Sequence, residues 1–258
     1  MESRVLLGEV LGMDRSHLLA YPEQELTTEQ EQLYQRYLRR RCAHEPVAYI
    51  VGHKEFYGLD FIVDQRVLIP RPETELLVEE ALQEIHQRFA AGSTPIVADV
   101  GTGSGAIPIS IAVAEPRLPY IYACDISPDA LEITRQNSER HHVSSRVRLL
   151  KGDLLAPLPE PVDVLLANLP YVGQDEMGDM TADVLDYEPH LALFSGPLGL
   201  DLLYRFCKDA KASGTLKRGG VMLLEIGYQQ ATPLTRVLQE LWPQAIVHCQ
   251  KDYAGWIV

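Results

Sequence analysis

C-x-x-C cysteine pairs, long apolar runs and an excess of positive charge are all missing from this 258-residue chain. Its four cysteines, Cys42, Cys124, Cys207 and Cys249, are widely scattered without a C-x-x-C pair, so neither a disulfide framework nor a zinc or other metal site is expected. Every apolar stretch is broken within a few residues by Pro, Gly or charge, far short of the roughly 20 residues a membrane helix needs. No transmembrane span and no membrane partner are expected. Met1-Glu2-Ser3-Arg4 lacks the basic-then-apolar order of a secretory signal, which makes a cytoplasmic protein the expectation. Against 36 acidic residues stand 23 basic ones, a formal charge of −13 that argues against a broad grip on polyphosphate. Arg36, Arg39, Arg40 and Arg41 do crowd one helical segment, but a solvated helix face accounts for such a run. What the chain has in quantity is core: 46% hydrophobic residues suffice for one large domain or two smaller ones.

Three regions differ in pattern. Thr27 or Thr28 is a fitting N-cap for a helix reaching Cys42, with Leu33, Tyr34, Tyr37 and Leu38 at helical spacing, and residues 1–45 read as a small helical domain. Val47-Ala48-Tyr49-Ile50 and Leu59-Asp60-Phe61-Ile62-Val63, bracketed by Gly52, Gly58 and Asp64, predict a β-hairpin connector within 46–72. The third region, 73–258, opens with Leu76, Leu77, Ala81, Leu82 and Ile85 on one helical face. From Ile96 strands near 96–100, 120–124, 146–150, 162–167 and 220–226 alternate with helices near 104–114, 128–141, 200–214 and 229–241, which predicts an α/β doubly wound parallel sheet. Ala245 to Cys249 and Gly255 to Val258 are candidates for a terminal hairpin.

Ligands of such sheets bind at the carboxyl ends of the strands. The first strand, Ile96 to Val100, runs into Gly101-Thr102-Gly103-Ser104-Gly105 and then a helix, a turn whose glycines admit positive φ and whose helix offers free N–H groups. Asp125 ends the second strand, where an acidic side chain meets ribose hydroxyls. A tight structural turn, a nicotinamide site and an S-adenosylmethionine site all share these features. The spacing G-x-G-x-G favours the methyl donor, as does Gly152-Asp153-Leu154 after the third strand, where Asp153 can accept from an adenine amine and Leu154 can pack on the ring. Asp153 as a simple turn cap is the plainer alternative.

Asn168-Leu169-Pro170-Tyr171 follows the buried-strand pattern Val162 to Ala167. An amide nitrogen is a poor nucleophile because its lone pair is delocalised. Two fixed acceptors on its N–H bonds hold it near tetrahedral geometry and aim that pair at an electrophile. The Asn168 side-chain oxygen and the Leu169 carbonyl suit this role, Pro170 biases Leu169 toward extended backbone, and Tyr171 can stack on the planar group. In isolation the same four residues also serve as a turn after a strand.

These motifs, in this order, resemble the PrmC/HemK family of bacterial protein-(glutamine-N5) methyltransferases, which modify the Gly-Gly-Gln motif of class I peptide chain release factors. The resemblance extends over nearly the whole chain, through Pro46 to Ile50, Glu55 to Gly58, Val67 to Glu75, the glycine loop, Asp125, Asn168 to Tyr171, Tyr187-Glu188-Pro189, Gly199 to Asp201 and Glu225 to Gly227. It implies a class I S-adenosylmethionine-dependent methyltransferase fold, donor contacts from Gly101 to Gly105, Asp125, Asp153, Leu154 and Asn168, and a substrate glutamine held by Asn168 to Tyr171. It also implies docking of the release factor on the amino-terminal helices, with no direct nucleic-acid partner. Arg71 and Glu73 then have either a functional role or an inter-domain ion pair. The usual Asn-Pro-Pro-Tyr is Asn-Leu-Pro-Tyr here, the first helices are shortened, and Lys251 to Ile257 lacks an Arg common before the final strand. Two other readings stay open: a nucleic-acid amino methyltransferase, which shares the donor site and Asn168 to Tyr171, and a non-catalytic binding protein with the same fold.

Overall fold

The computed structural model describes residues 2–21 and 23–250. The chain begins with helices α1 (Glu2–Leu11), α2 (Arg15–Ala20) and α3 (Thr28–Cys42). Thr27 caps α3 in a reciprocal box: its hydroxyl accepts from Gln30 N at 3.2 Å and Gln30 Oε1 accepts from Thr27 N at 3.0 Å. The arginines of this helix divide. Arg40 pairs with Glu45 and caps the Tyr49 and Ile50 carbonyls at 3.1 Å, Arg41 pairs with Glu2, and Arg36 and Arg39 face solvent.

The segment predicted as the first hairpin strand is instead helix α4 (Val47–Val51). Pro46 sets its first turn, Gly52 ends it in the left-handed region at φ 86, and Arg40 takes its last carbonyls. Burial of Tyr49 and Ile50 together overrides the β propensity of Val and Ile. The hairpin itself lies one step later, β1 (His53–Phe56) against β2 (Leu59–Ile62), and Tyr57 (φ 52) and Gly58 (φ 71) make its two-residue turn. Phe56 and Phe61 enter the core of the larger body.

After a single 3-10 turn at Pro72–Thr74 come α5 (Glu75–Ala90), β3 (Val97–Val100), α6 (Ala106–Ala114), β4 (Ile121–Asp125), α7 (Pro128–Arg140), β5 (Val147–Lys151) and β6 (Val162–Ala167). Helices α8 (Ala182–Tyr187), α9 (His190–Leu193) and α10 (Asp201–Ser213) precede β7 (Leu216–Leu224) and α11 (Ala231–Leu241). The five strands are all parallel in the order β5-β4-β3-β6-β7, the doubly wound sheet expected. Both faces are covered: Val97, Ile121, Ala123, Val164 and Leu166 pack with α5, α6 and the hairpin, while Ala98, Val100, Cys124, Leu165 and Ala167 pack with α10 and α11. This two-sided burial is why the strands read as continuous apolar runs. Residues 245–249 form no strand, and Gly255 to Val258 lie outside the described residues.

Asn137 ties hairpin to sheet. It is fully buried on α7, accepts from Ile62 N at 2.7 Å, and donates to Ile62 O at 3.0 Å and to Ser104 O at 2.9 Å. Replacement by Ala strands one buried donor and two acceptors. Asn137→Ala is expected to lower stability by about 2–3 kcal/mol in denaturant titration. A loss under about 0.5 kcal/mol, the range of an ordinary surface change, would contradict this account.

Candidate active site

Strand order places the site. The first strand of the sheet, β3, has β4 and β5 on one side and β6 and β7 on the other, so the winding reverses between β3 and β6. Val100 is paired with Ala167 at the carboxyl ends of these neighbours, which brings the next residues, Gly101 and Asn168, side by side. The packing is close: a Cβ on Gly101 (φ 78) would lie 3.1 Å from Leu169 Cδ2 and 3.5 Å from the Asn168 carbonyl oxygen. Only glycine fits both the conformation and the space.

The loop is held from β4. Gly101 N and Thr102 N donate to the Cys124 carbonyl at 2.9 and 3.0 Å, and Gly103 N donates to Asp125 Oδ2 at 2.9 Å. Asp125 Oδ1 accepts from Ser127 N at 2.9 Å. Burial pushes the Asp125 carboxyl above its ordinary range, opposed by the Ser127 and Gly103 N–H groups. Each oxygen keeps acceptor capacity beyond these bonds.

A cavity of about 420 Å³ lies over this switch point. Gly101, Thr102, Gly103, Ser104, Asp125, Asp153, Leu154, Asn168, Leu169 and Pro170 all reach its wall, joined by Arg71, Thr74, Pro189 and Leu191. Two expected members do not line it. Gly105 is a packing residue, since a Cβ there would lie 2.6 Å from Thr134 Cγ2 and 2.8 Å from Ile109 Cδ1. Tyr171 sits behind the wall: its ring packs on the core, its hydroxyl donates to Glu225 Oε1 at 3.1 Å, and its carbonyl accepts from Gln230 Nε2 at 2.7 Å. Burial raises the Tyr171 phenol. Asp153 is on the wall, but its carboxylate pairs with Arg205, which sequence reasoning missed. Leu154 is buried at φ 46, a conformation costly for a residue with a Cβ and favoured here by its enclosure.

Asn168 Nδ2 donates to Thr74 Oγ1 at 3.1 Å. Leu169 has its side chain buried in the core, so packing restrains this residue where a proline ring would fix φ. No donor among the described residues is hydrogen-bonded to its carbonyl. Arg71 forms the ion pair anticipated at the junction, with Glu188 at 2.5 Å rather than with Glu73. Glu188 is almost fully buried and also accepts from Ile69 N at 3.1 Å, while Tyr187 donates to the Ala43 carbonyl at 2.6 Å. Tyr187 to Pro189 therefore order the wall and tie it to the amino-terminal helices. Thr74, Glu225 and Gln230 carried no assigned role in the sequence. The available signal was Glu225 itself, a charge ending an apolar strand as Asp125 and Asn168 do.

Beneath the glycine loop Asp99 is fully buried without a well-formed hydrogen bond to either oxygen, the Thr102 side chain alone favouring its charged form. Burial pushes this carboxyl up to about 7. Native protein then holds a proton that the unfolded chain releases near pH 4, so this stabilising contribution is present below pH 4 and is lost as pH rises to about 7. Asp99→Asn lacks the titration and is expected to gain on the parent across that window, on the order of 2–4 kcal/mol. Denaturant melts at several pH values decide it; parallel curves for the two proteins would refute it.

Known proteins bear out this architecture. The PrmC N-terminal domain family matches residues 1–52 and the methyltransferase small domain family matches residues 73–190. A release factor glutamine methyltransferase of Koribacter versatilis is 41% identical over 93% of this chain and 83% of its own length, and that of Moorella thermoacetica is 41% identical over 99% and 88%. A ribosomal protein L11 methylase from Lactobacillus delbrueckii subsp. bulgaricus shares the fold at TM-score 0.50 and 20% identity, over 74% of this chain and 78% of that one. Those sequence matches run through both the amino-terminal helices and the sheet that carries the cavity, so this chain belongs to the release factor glutamine methyltransferase family.

Proposed function

We propose that the chain methylates N5 of the glutamine in the Gly-Gly-Gln motif of class I peptide chain release factors, with S-adenosylmethionine as methyl donor. The observation that carries this reading is the pairing of Val100 with Ala167, which sets a glycine loop and an Asn168-Leu169 acceptor pair on one cavity wall. The residues fit the donor. The cavity volume of about 420 Å³ falls within the ordinary range of small-molecule sites. We assign Asp125 to the ribose hydroxyls, the backbone of Gly101 to Ser104 to close approach of the ligand, and Leu154 to packing on adenine. Bound there, S-adenosylmethionine supplies an electrophilic methyl group on a sulfonium.

The chain's own contribution is positioning. Asn168 Oδ1 and the Leu169 carbonyl take the two N–H bonds of the substrate amide and turn its lone pair toward the donor side of the cavity. The nitrogen becomes acidic once alkylated, so its proton leaves without a dedicated base. Pro170 holds Leu169 extended, and Tyr171 supports the wall from behind rather than by stacking. We assign docking of the release factor to residues 1–45, with 46–72 as connector and 73–258 as the transferase domain. The net charge of −13 favours a protein over a nucleic-acid partner, and the reaction belongs in the cytoplasm with translation. No helix among the described residues is long and apolar enough to cross a membrane.

Incubation with labelled donor and purified release factors, alongside Gln→Ala controls in their Gly-Gly-Gln loops, tests the assignment. Label should enter the parent factor and not the control; equal incorporation into both would defeat it. Asn168→Ala is expected to cut turnover by about 100-fold while leaving donor affinity close to parental, because its contact is with the acceptor. Asp125→Ala should do the reverse first, weakening donor binding by about 10-fold in calorimetry through lost ribose contacts and a loosened Gly103. Unchanged affinity would remove Asp125 from the donor site.

A further inference from the structure

A carboxamide can sit either way round, and only one way serves the chemistry assigned to Asn168. If its NH2 faced the cavity, two donor groups would confront each other across the substrate amide. The surroundings decide the orientation. Thr74 Oγ1 accepts from Asn168 Nδ2 at 3.1 Å, which leaves the hydroxyl's own hydrogen free to point elsewhere. Glu225, next in line after β7, lies beside the end of β6, where its N–H donates to the Ala167 carbonyl at 3.1 Å. Its carboxyl is buried, one oxygen accepts from Tyr171, and the other has no hydrogen-bond partner. The side chains of Thr74, Tyr171 and Asn168 face it, and the Glu73 charge also acts on it. With its hydrogen turned to the Glu225 carboxyl that it faces, the Thr74 hydroxyl presents a lone pair to Asn168. A flipped amide would need that hydrogen for its own oxygen and would take it from the buried carboxyl.

We infer that Thr74 and Glu225 are positioning residues that fix the Asn168 carboxamide with nitrogen inward and oxygen toward the cavity, which makes Asn168 an acceptor for the substrate amide. This rests on the role given to Asn168 above. Glu225 does not line the cavity and Thr74 reaches its wall beside Asn168; we assign both a role through Asn168. Tyr171 belongs to the same support, since its hydroxyl occupies the other Glu225 oxygen and keeps that carboxyl from turning away.

Thr74→Val removes the acceptor at nearly constant volume, and Glu225→Gln replaces the carboxyl that orients the Thr74 hydroxyl with an amide that can also donate to it. Each is expected to lower kcat for release-factor methylation by about tenfold or more, with donor affinity by calorimetry within about twofold of parental. Thr74→Ser keeps the hydroxyl and recovers the rate. A second measurement does not depend on turnover: the side-chain 15N–1H pair of Asn168, assigned by its loss in Asn168→Asp, should shift in Thr74→Val and stay in place in Thr74→Ser. Parental kcat in both altered proteins, or a slowed enzyme whose Asn168 signal has not moved, overturns the inference. A parent protein that methylates no release factor while the Asn168 signal shifts as described overturns the assigned reaction and leaves the orientation standing.

Discussion

One register pairing governs this molecule: the parallel alignment of Val100 with Ala167 on neighbouring strands. Parallel strands keep side chains on a fixed face with a period of two, so a slip of one residue would send every buried side chain of β6 to the opposite layer. The pairing is therefore locked by apolar packing on both faces, with Val164 and Leu166 on one side and Leu165 and Ala167 on the other. What that packing secures is chemical. Two polar turns, one rich in glycine and one ending a strand in asparagine, emerge at the same height and from adjacent strands, and the cavity between them needs no further device to bring them together.

The polar residues of the site follow from the same geometry. Asp125, Asn168 and Glu225 each stand at or just beyond the carboxyl end of an apolar strand, where the chain leaves the core and a hydrogen-bonding side chain can still be enclosed. Their partners are mostly backbone or neighbouring side chains of this set: Gly103 and Ser127 on Asp125, Thr74 on Asn168, Tyr171 on Glu225. Enclosure makes these bonds directional and costly to rearrange.

Much of this was legible in the sequence because burial on both faces leaves a strong trace. The five strands, the order of strand and helix, the glycine turn, Asp125 and Asn168 to Pro170 could be read from runs of Val, Leu, Ile and Ala ending in polar residues. The misreadings share a cause: each turned on a contact distant in the chain. Val47 to Ile50 has strand-forming residues, yet Arg40 and the surrounding core make it a helix. Gly105 looks like part of the ligand loop until Thr134 is seen pressed against it, and Tyr171 looks free to stack until Glu225 claims its hydroxyl. Thr74 and Asn168 are 94 residues apart, and no local pattern announces that they meet.

Asn137 has a consequence for how the two halves of the protein communicate. A single amide joins the Ile62 backbone of the hairpin to the Ser104 carbonyl of the glycine loop. Displacing either the hairpin or the loop therefore disturbs three buried hydrogen bonds made by one side chain. Connector and sheet thus share one interior anchor, and a change that removes it loosens both at once.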